Sequence, residues 1–328
     1  MKSSTKKAIG QAAVVVSGIL LLWFIAHFSS DEVQSGFQYK LIDGAHVFMD
    51  RNLESAARAE IQDGLQDATV GALARLGIRS PSRPLPTAFF VTNLNYGAIN
   101  SSDSFLAKKL PGAASSDFAV FRNLSLRLYA NELVADTITS RDGQYVFLTA
   151  NGDWRRAALH GHVHALAARN MPAQLAASMN VDTNFNEDTW FSFRFVDEAV
   201  ALFVTDIQAL SGRLGSMDAA ARAYPAHVRD AYASDSSPIA EQERLIWMAT
   251  FSEPHKLSNF YQAAGDFSAF LLDRLGVDGM LGLCGSFLMG AYGSFDDLFA
   301  GLGGLDGAMT AWKGDPAVPR SGMEYQRQ

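Results

Sequence analysis

Apolar and polar positions alternate along this chain in blocks of different period, and each block predicts an element. Residues 8–30 form an uncharged run dense in Val, Ile, Leu, Trp and Phe, with no polar face. As a helix, such a run crosses a bilayer core of roughly 30 Å. A short polar linker follows over residues 31–36, and Ala45–Met49 is then apolar and strand-like. Asp50 and Asn52 offer N-caps for a helix that runs to about Leu76 and stops at Gly77. Pro84-Leu85-Pro86 leads into the β-rich stretch Thr87–Thr92. Residues 95–117 turn to Ser, Asn, Gly and Lys and read as a long loop. Arg141-Asp142-Gly143 reads as a hairpin turn before the strand Tyr145-Val146-Phe147-Leu148. From Asp153 onward the spacing is almost wholly helical.

Composition narrows the classes. Hydrophobic residues at 48% and charged residues at 19% over 328 positions describe a folded chain with a sizeable core. A net charge of −7, with no Lys/Arg cluster beyond the extreme N-terminus, excludes a nucleic-acid footprint. Cys284 is the single cysteine, which excludes an intrachain disulfide and a cysteine-based zinc knuckle. Lys2, Lys6 and Lys7 precede the apolar run and Asp31-Glu32 follow it, the charge asymmetry of an anchor with a cytoplasmic N-terminus and a periplasmic or extracellular body. A cleaved signal peptide would need small residues at the cleavage positions, and His27 and Phe28 spoil the obvious site. Taking the three leading lysines from the 27 Lys+Arg leaves 24 against 34 Asp+Glu, a net of −10 for the exported part. A body so acidic gains nothing from anionic lipid, so the membrane is a tether. The expected organisation is therefore a cytoplasmic stub (1–7), the anchor (8–30), the linker (31–36), an α/β part (37–150), a helical part (151–315) and a tail (316–328).

The helical part opens on Ala158-Leu159-His160-Gly161-His162-Val163-His164-Ala165, which holds three of the chain's seven histidines. Asp153 is a suitable N-cap, and Pro172 ends the helix shortly after Asn170. At about 100° per residue, His160 and His164 share a face with Ala157, Val163 and Ala167, and two imidazoles so placed can grip one zinc ion. His162 falls nearer Arg155 and Arg169, away from that pair. A strand would align all three histidines, but the alanine-rich flanks favour helix. The zinc-peptidase pattern H-E-x-x-H carries glutamate directly after the first histidine, where this chain has Gly161. Incidental histidines on a core helix are the plain alternative.

Two acids then interrupt an apolar helix, Phe195-Val196-Asp197-Glu198-Ala199-Val200-Ala201. A buried carboxylate needs a partner or a metal. Helical spacing also lets Arg194 pair with either acid at a solvated edge. Both readings stay open on spacing alone.

From about Phe37 to Trp312 the chain resembles the gluzincin-type zinc metallopeptidases, the thermolysin/aminopeptidase-like (peptidase MA-like) catalytic fold. The order of strand, long helix, strands, histidine helix, glutamate helix and C-terminal helices is similar throughout. Arg194-Phe195-Val196-Asp197-Glu198-Ala199-Val200-Ala201 resembles the family's W-x-x-E-G-x-A helix, with Ala199 where glycine is common. Tyr261-Gln262-Ala263-Ala264-Gly265-Asp266-Phe267 and Phe270 to Gly276 look like its tyrosine-bearing helix, and Gly293 to Trp312 like its closing helices. The resemblance implies an α+β fold: a small mixed sheet packed on helices, a mainly helical C-terminal lobe, and a metal in the cleft between. It makes His160, His164 and Glu198 the zinc ligands and Tyr261 the candidate oxyanion stabiliser.

Gly161 is the departure from the family. A zinc ion on two histidines and a carboxylate lowers the pKa of bound water to about 7 and polarises a carbonyl. The missing glutamate is the group that moves the water's proton, a contribution of roughly 10²–10⁴. Helical angles make His162 and Asp197 poor replacements. The expectation is a membrane-anchored exported pseudopeptidase that holds zinc and a peptide or protein. The alternative is an active zinc-dependent peptidase with a non-standard general base. A fold with no metal at all is the third reading. Trp190 and Phe191 are expected in core packing, Cys284 as a structural thiol, and His46, His227 and His255 outside the metal site.

Overall fold

The computed structural model describes residues 37–42, 44–79, 87–92, 109, 135–139, 144–150, 153–178, 186–232 and 260–315. The expected anchor, its linker, the tail, the 141–143 turn and, apart from Lys109, the long loop lie outside the described residues. Among the described residues no helix is long and apolar enough to cross a membrane.

Five strands form one mixed sheet: β1 (Phe37–Ile42), β2 (Ala45–Asp50), β3 (Thr87–Thr92), β4 (Ala135–Thr139) and β5 (Gln144–Thr149), in the order β1-β2-β3-β5-β4. The two outer pairings are antiparallel, while β2-β3 and β3-β5 are parallel. The strands at the centre read as continuous apolar runs because both sheet faces are buried. Register aligns Val47, Phe89 and Val146 in one row and Met49, Val91 and Leu148 in the next, all in the core on one face. The other face carries Phe37, Phe48 and Phe90, with Phe48 and Phe90 stacked at 4.7 Å between ring centroids.

Between β2 and β3, helix α1 (Ser55–Gln66) continues through a π-helical stretch (Asp67–Gly71) into α2 (Ala72–Arg75). Gly77 stops it with φ of +72°, a left-handed conformation that glycine adopts without a Cβ penalty. The expected caps do not cap. Glu54 occupies the N-cap position without a side-chain bond, and Asp50 Oδ1 instead accepts from the Asn52 backbone N–H at 2.8 Å in a local turn.

Everything described after Asp153 is helical or a connection between helices: α3 (Trp154–Arg169), α4 (Ala173–Ser178), α5 (Glu187–Leu214), α6 (Met217–Tyr232), α7 (Phe260–Leu288), α8 (Phe295–Leu298) and α9 (Gly304–Gly314). Helix α7 breaks at Gly276, where φ is +68°. The architecture is thus a small mixed sheet with mostly helices. Helix α3 lies between two cores. Its Trp154, Ala157, Ala158 and Ala165 pack with the sheet, and Leu159, Val163, Leu166 and Ala167 pack with the helices. A helix apolar on nearly every side belongs in such a place, and any polar side chain on it must find a partner inside.

Candidate metal centre

Helix α3 begins at Asp153, whose side chain accepts from the Arg156 backbone N–H, and ends at Asn170. Helix α5 begins at Asn186, which accepts from the Thr189 N–H, and ends at Gly215 in the left-handed region. These caps fix both helices in phase, and the contacts between them run in antiparallel order: His164 to Asp197, His160 to Glu198, then Arg156 to Asp206.

The predicted ligands come together. His160 Nε2 lies 3.0 Å from His164 Nε2 and 3.2 Å from Glu198 Oε1, and His164 Nε2 lies 3.3 Å from Glu198 Oε2. One ligand atom from each of the three residues falls within 4.8 Å of the others. Ligands held at about 2.1 Å around a tetrahedral ion stand roughly 3.4 Å apart, close to these separations. Two imidazoles and a carboxylate are a donor set suited to zinc. Glu198 Oε1 is buried and faces His160 Nε2 at 3.2 Å, the side on which a cation shared by the two would sit. The cluster is reached from solvent beside His160, whose side chain is 24% exposed against 10% for His164 and 4% for Glu198.

Asp197 supplies what spacing did not reveal. His164 Nδ1 donates to Asp197 Oδ2 at 2.8 Å, which orients the ring so that Nε2 faces His160 and Glu198. Arg194 Nη1 stands 3.5 Å from the same oxygen, so the expected pairing of Arg194 with Asp197 exists alongside the histidine contact. Adjacent acids on a helix diverge by about 100°, and that divergence lets one ligate while the other reaches behind the imidazole.

The charges are mutually dependent. Burial opposes protonation of His164, but the charge and hydrogen bond of Asp197, helped by Glu198, outweigh it and raise its pKa well above the usual imidazole range. Burial likewise works against an ionised Glu198, and His160 and His164 overcome it to hold that carboxyl well below its usual range. Glu198 is thus held as a carboxylate, the form that ligates a cation, and a bound cation would replace the proton on the His164 side of it.

His162 is not part of the cluster, as its helical angle predicts. It is nevertheless buried, one turn from the sheet-side residues Ala158 and Ala165, and neither ring nitrogen has a hydrogen-bond partner. Burial drives its pKa down to about 4, so it is neutral. Gly161 is also buried. Tyr261 sits in the first turn of α7, half-buried against the helical core. Tyr292 has its pKa raised by burial and then by the charge of Asp197. Phe191 is core, as expected, and Cys284 is a buried thiol whose pKa burial pushes up. His46 bonds Tyr39 and His227 pairs with Asp206, both away from the cluster, while His255 lies outside the described residues.

The described chain is therefore a mixed α/β protein with a His-His-Glu group able to hold a metal ion. Comparison with family models, with curated proteins and with solved structures found no match.

Proposed function

We propose that this protein is a membrane-tethered, exported member of the gluzincin-like fold, a degenerate peptidase. On this reading it holds zinc through His160, His164 and Glu198 and binds a peptide or protein beside it without efficient hydrolysis. The observation that carries the reading is the convergence of those three ligands, from two helices 34 residues apart in sequence between His164 and Glu198, onto one small volume. The carboxylate behind His164 supports it further, because a ligand histidine is commonly held in that way. Zinc on this donor set supplies Lewis-acid polarisation of a carbonyl.

The lack of turnover rests on the base. Gly161 has no side chain to accept a proton. His162 is outside the cluster and held neutral in a dry environment. Asp197 is committed to His164 through one oxygen. A proton-transfer contribution of roughly 10²–10⁴ is thereby absent. The tether rests on the lysine-led apolar run at residues 8–30.

Restoring the acid tests the proposal. Gly161→Glu is expected to cleave a generic peptide in a chelator-sensitive way while the native chain does not. Chelator-sensitive cleavage by the native chain would instead support the active-peptidase reading with a non-standard base.

A further inference from the structure

We propose that Asp206 is a positioning residue of the metal centre: paired with Arg156, it locks the histidine helix α3 in register against the glutamate helix α5, so that the ligands meet. The inference rests on the metal-centre reading and adds to it a contact beyond the ligands and the carboxylate behind His164.

Arg156, His160 and His164 recur every four residues and so share one face of α3. Arg156 Nη2 donates to Asp206 Oδ1 at 2.5 Å, and Asp206 follows Glu198 by eight residues, about two turns along α5. The pair is therefore a rung on the seam that also carries His160–Glu198 and His164–Asp197, and it is the rung that involves no ligand histidine. From α6, His227 Nε2 faces the second oxygen, Oδ2, at 3.3 Å.

The Asp206 side chain is wholly buried. An ion pair on such a carboxylate adds little net stability, because desolvation offsets the attraction, and apolar replacements of buried pairs are often neutral or stabilising. What the pair supplies is direction. A buried carboxylate against a guanidinium accepts one arrangement, since any slip leaves an unpaired charge inside. An apolar contact at the same place lets the helices slide and rotate. Metal ligands must be held to within about 0.5 Å, which such sliding would exceed.

Asp206 is itself held in a braced frame. Phe203, three residues earlier on α5, packs edge-on against Tyr224 of α6 at 5.3 Å between centroids. Tyr224, three residues before His227, hydrogen-bonds Ser268 of α7 with the two oxygens 2.7 Å apart. Three helices thus fix the acceptor, and Arg156 docks the histidine helix onto it one turn before His160.

The test is zinc titration of the full chain against a competing chelator, comparing wild type with the double variant Arg156→Met/Asp206→Leu. That variant removes equal and opposite charges and fills the space with apolar side chains. It is expected to keep or raise the melting temperature of the metal-free protein while zinc affinity falls about tenfold. Arg156→Gln, at a side chain 40% exposed, is the second variant and is expected to weaken zinc binding in the same direction even if the double variant does not fold. Wild-type zinc affinity in either folded variant would overturn the assignment. Histidine-selective ¹⁵N NMR of the metal-free protein gives a second readout. The ring nitrogens of His160 and His164 are expected to shift in the folded variants, and unchanged signals would overturn the assignment even in a protein that takes up no zinc. A wild type without zinc uptake but with the NMR shift would sink the metal-centre reading alone.

Discussion

His164 Nδ1 lies 2.8 Å from Asp197 Oδ2, and this buried contact joins the histidine helix to the glutamate helix behind the metal ligands. The carboxylate accepts from one face of the imidazole so that the other face is aimed at Glu198 and His160. Asp197→Asn keeps the shape but loses the charge. It is expected to weaken zinc affinity by roughly 10–100-fold, read by competition with a chromogenic chelator. Unaltered affinity would mean that Asp197 is only a partner for Arg194.

Protons and metal compete for the same site. His164 carries a raised pKa in the metal-free protein, so it is protonated at neutral pH and must release that proton to ligate. Zinc affinity is therefore expected to fall as pH falls, with about one proton released per ion, measured calorimetrically in buffers of different ionisation enthalpy. The stability of the metal-free protein has two opposed edges. The contribution of His164 is present below its unfolded value of 6.5 and is lost as pH rises through its higher folded value. That of Glu198 is present above 4.5 and is lost as pH falls toward its lower folded value.

His162 has the reverse behaviour from His164. Its folded pKa of about 4 lies below the unfolded 6.5, so stability is complete above 6.5 and is lost as pH falls toward 4. His162→Leu removes both unpartnered nitrogens from the interior and should leave zinc binding intact. The variant is expected to match or exceed wild-type stability at pH 7. Its advantage should grow on acidification to pH 5, by on the order of 1.4 kcal/mol for each pH unit at most. Chemical denaturation at the two pH values would reveal it. An advantage that shrinks on acidification would contradict the buried neutral imidazole.

Gly290 is a position that cannot take a side chain. Its φ is +63°, and a Cβ would meet the Asn170 carbonyl oxygen at 1.9 Å. Gly290→Ala must move the backbone that carries Tyr292 away from the end of α3. A destabilisation of about 2–3 kcal/mol is expected, a fall in melting temperature of roughly 5–10 °C, since conformational strain and overpacking act together. A wild-type melting curve would show that the close approach is not held in solution.

Much of the framework is legible in the residues themselves. The strands containing Ala45–Met49, Thr87–Thr92 and Tyr145–Leu148 announce themselves as short apolar runs, and Gly77, Asp153 and Pro172 mark helix ends through local chemistry. Strand β1 is less visible: Phe37–Ile42 mixes Gln, Tyr and Lys with apolar residues and becomes a strand by pairing with β2. Asp50 and Asn52 look like caps, but the chain makes a further turn before the helix starts. The His160/His164 pair follows from helical spacing, and Glu198 follows from resemblance to a family motif. The role of Asp197 is set by its contact with His164, 33 residues earlier on another helix, which no local period encodes. The burial of His162 is equally hidden, because its neighbours in sequence include Arg155 and Arg169 while its neighbours in space belong to the core.

The central claim is a zinc site built from His160, His164 and Glu198. The most direct test is the metal content of the purified full chain after exposure to zinc, beside His160→Ala and Glu198→Ala. About one zinc per wild-type chain, lost in both variants, is the predicted result. A folded wild type that retains no zinc, or variants that retain as much as wild type, would contradict it.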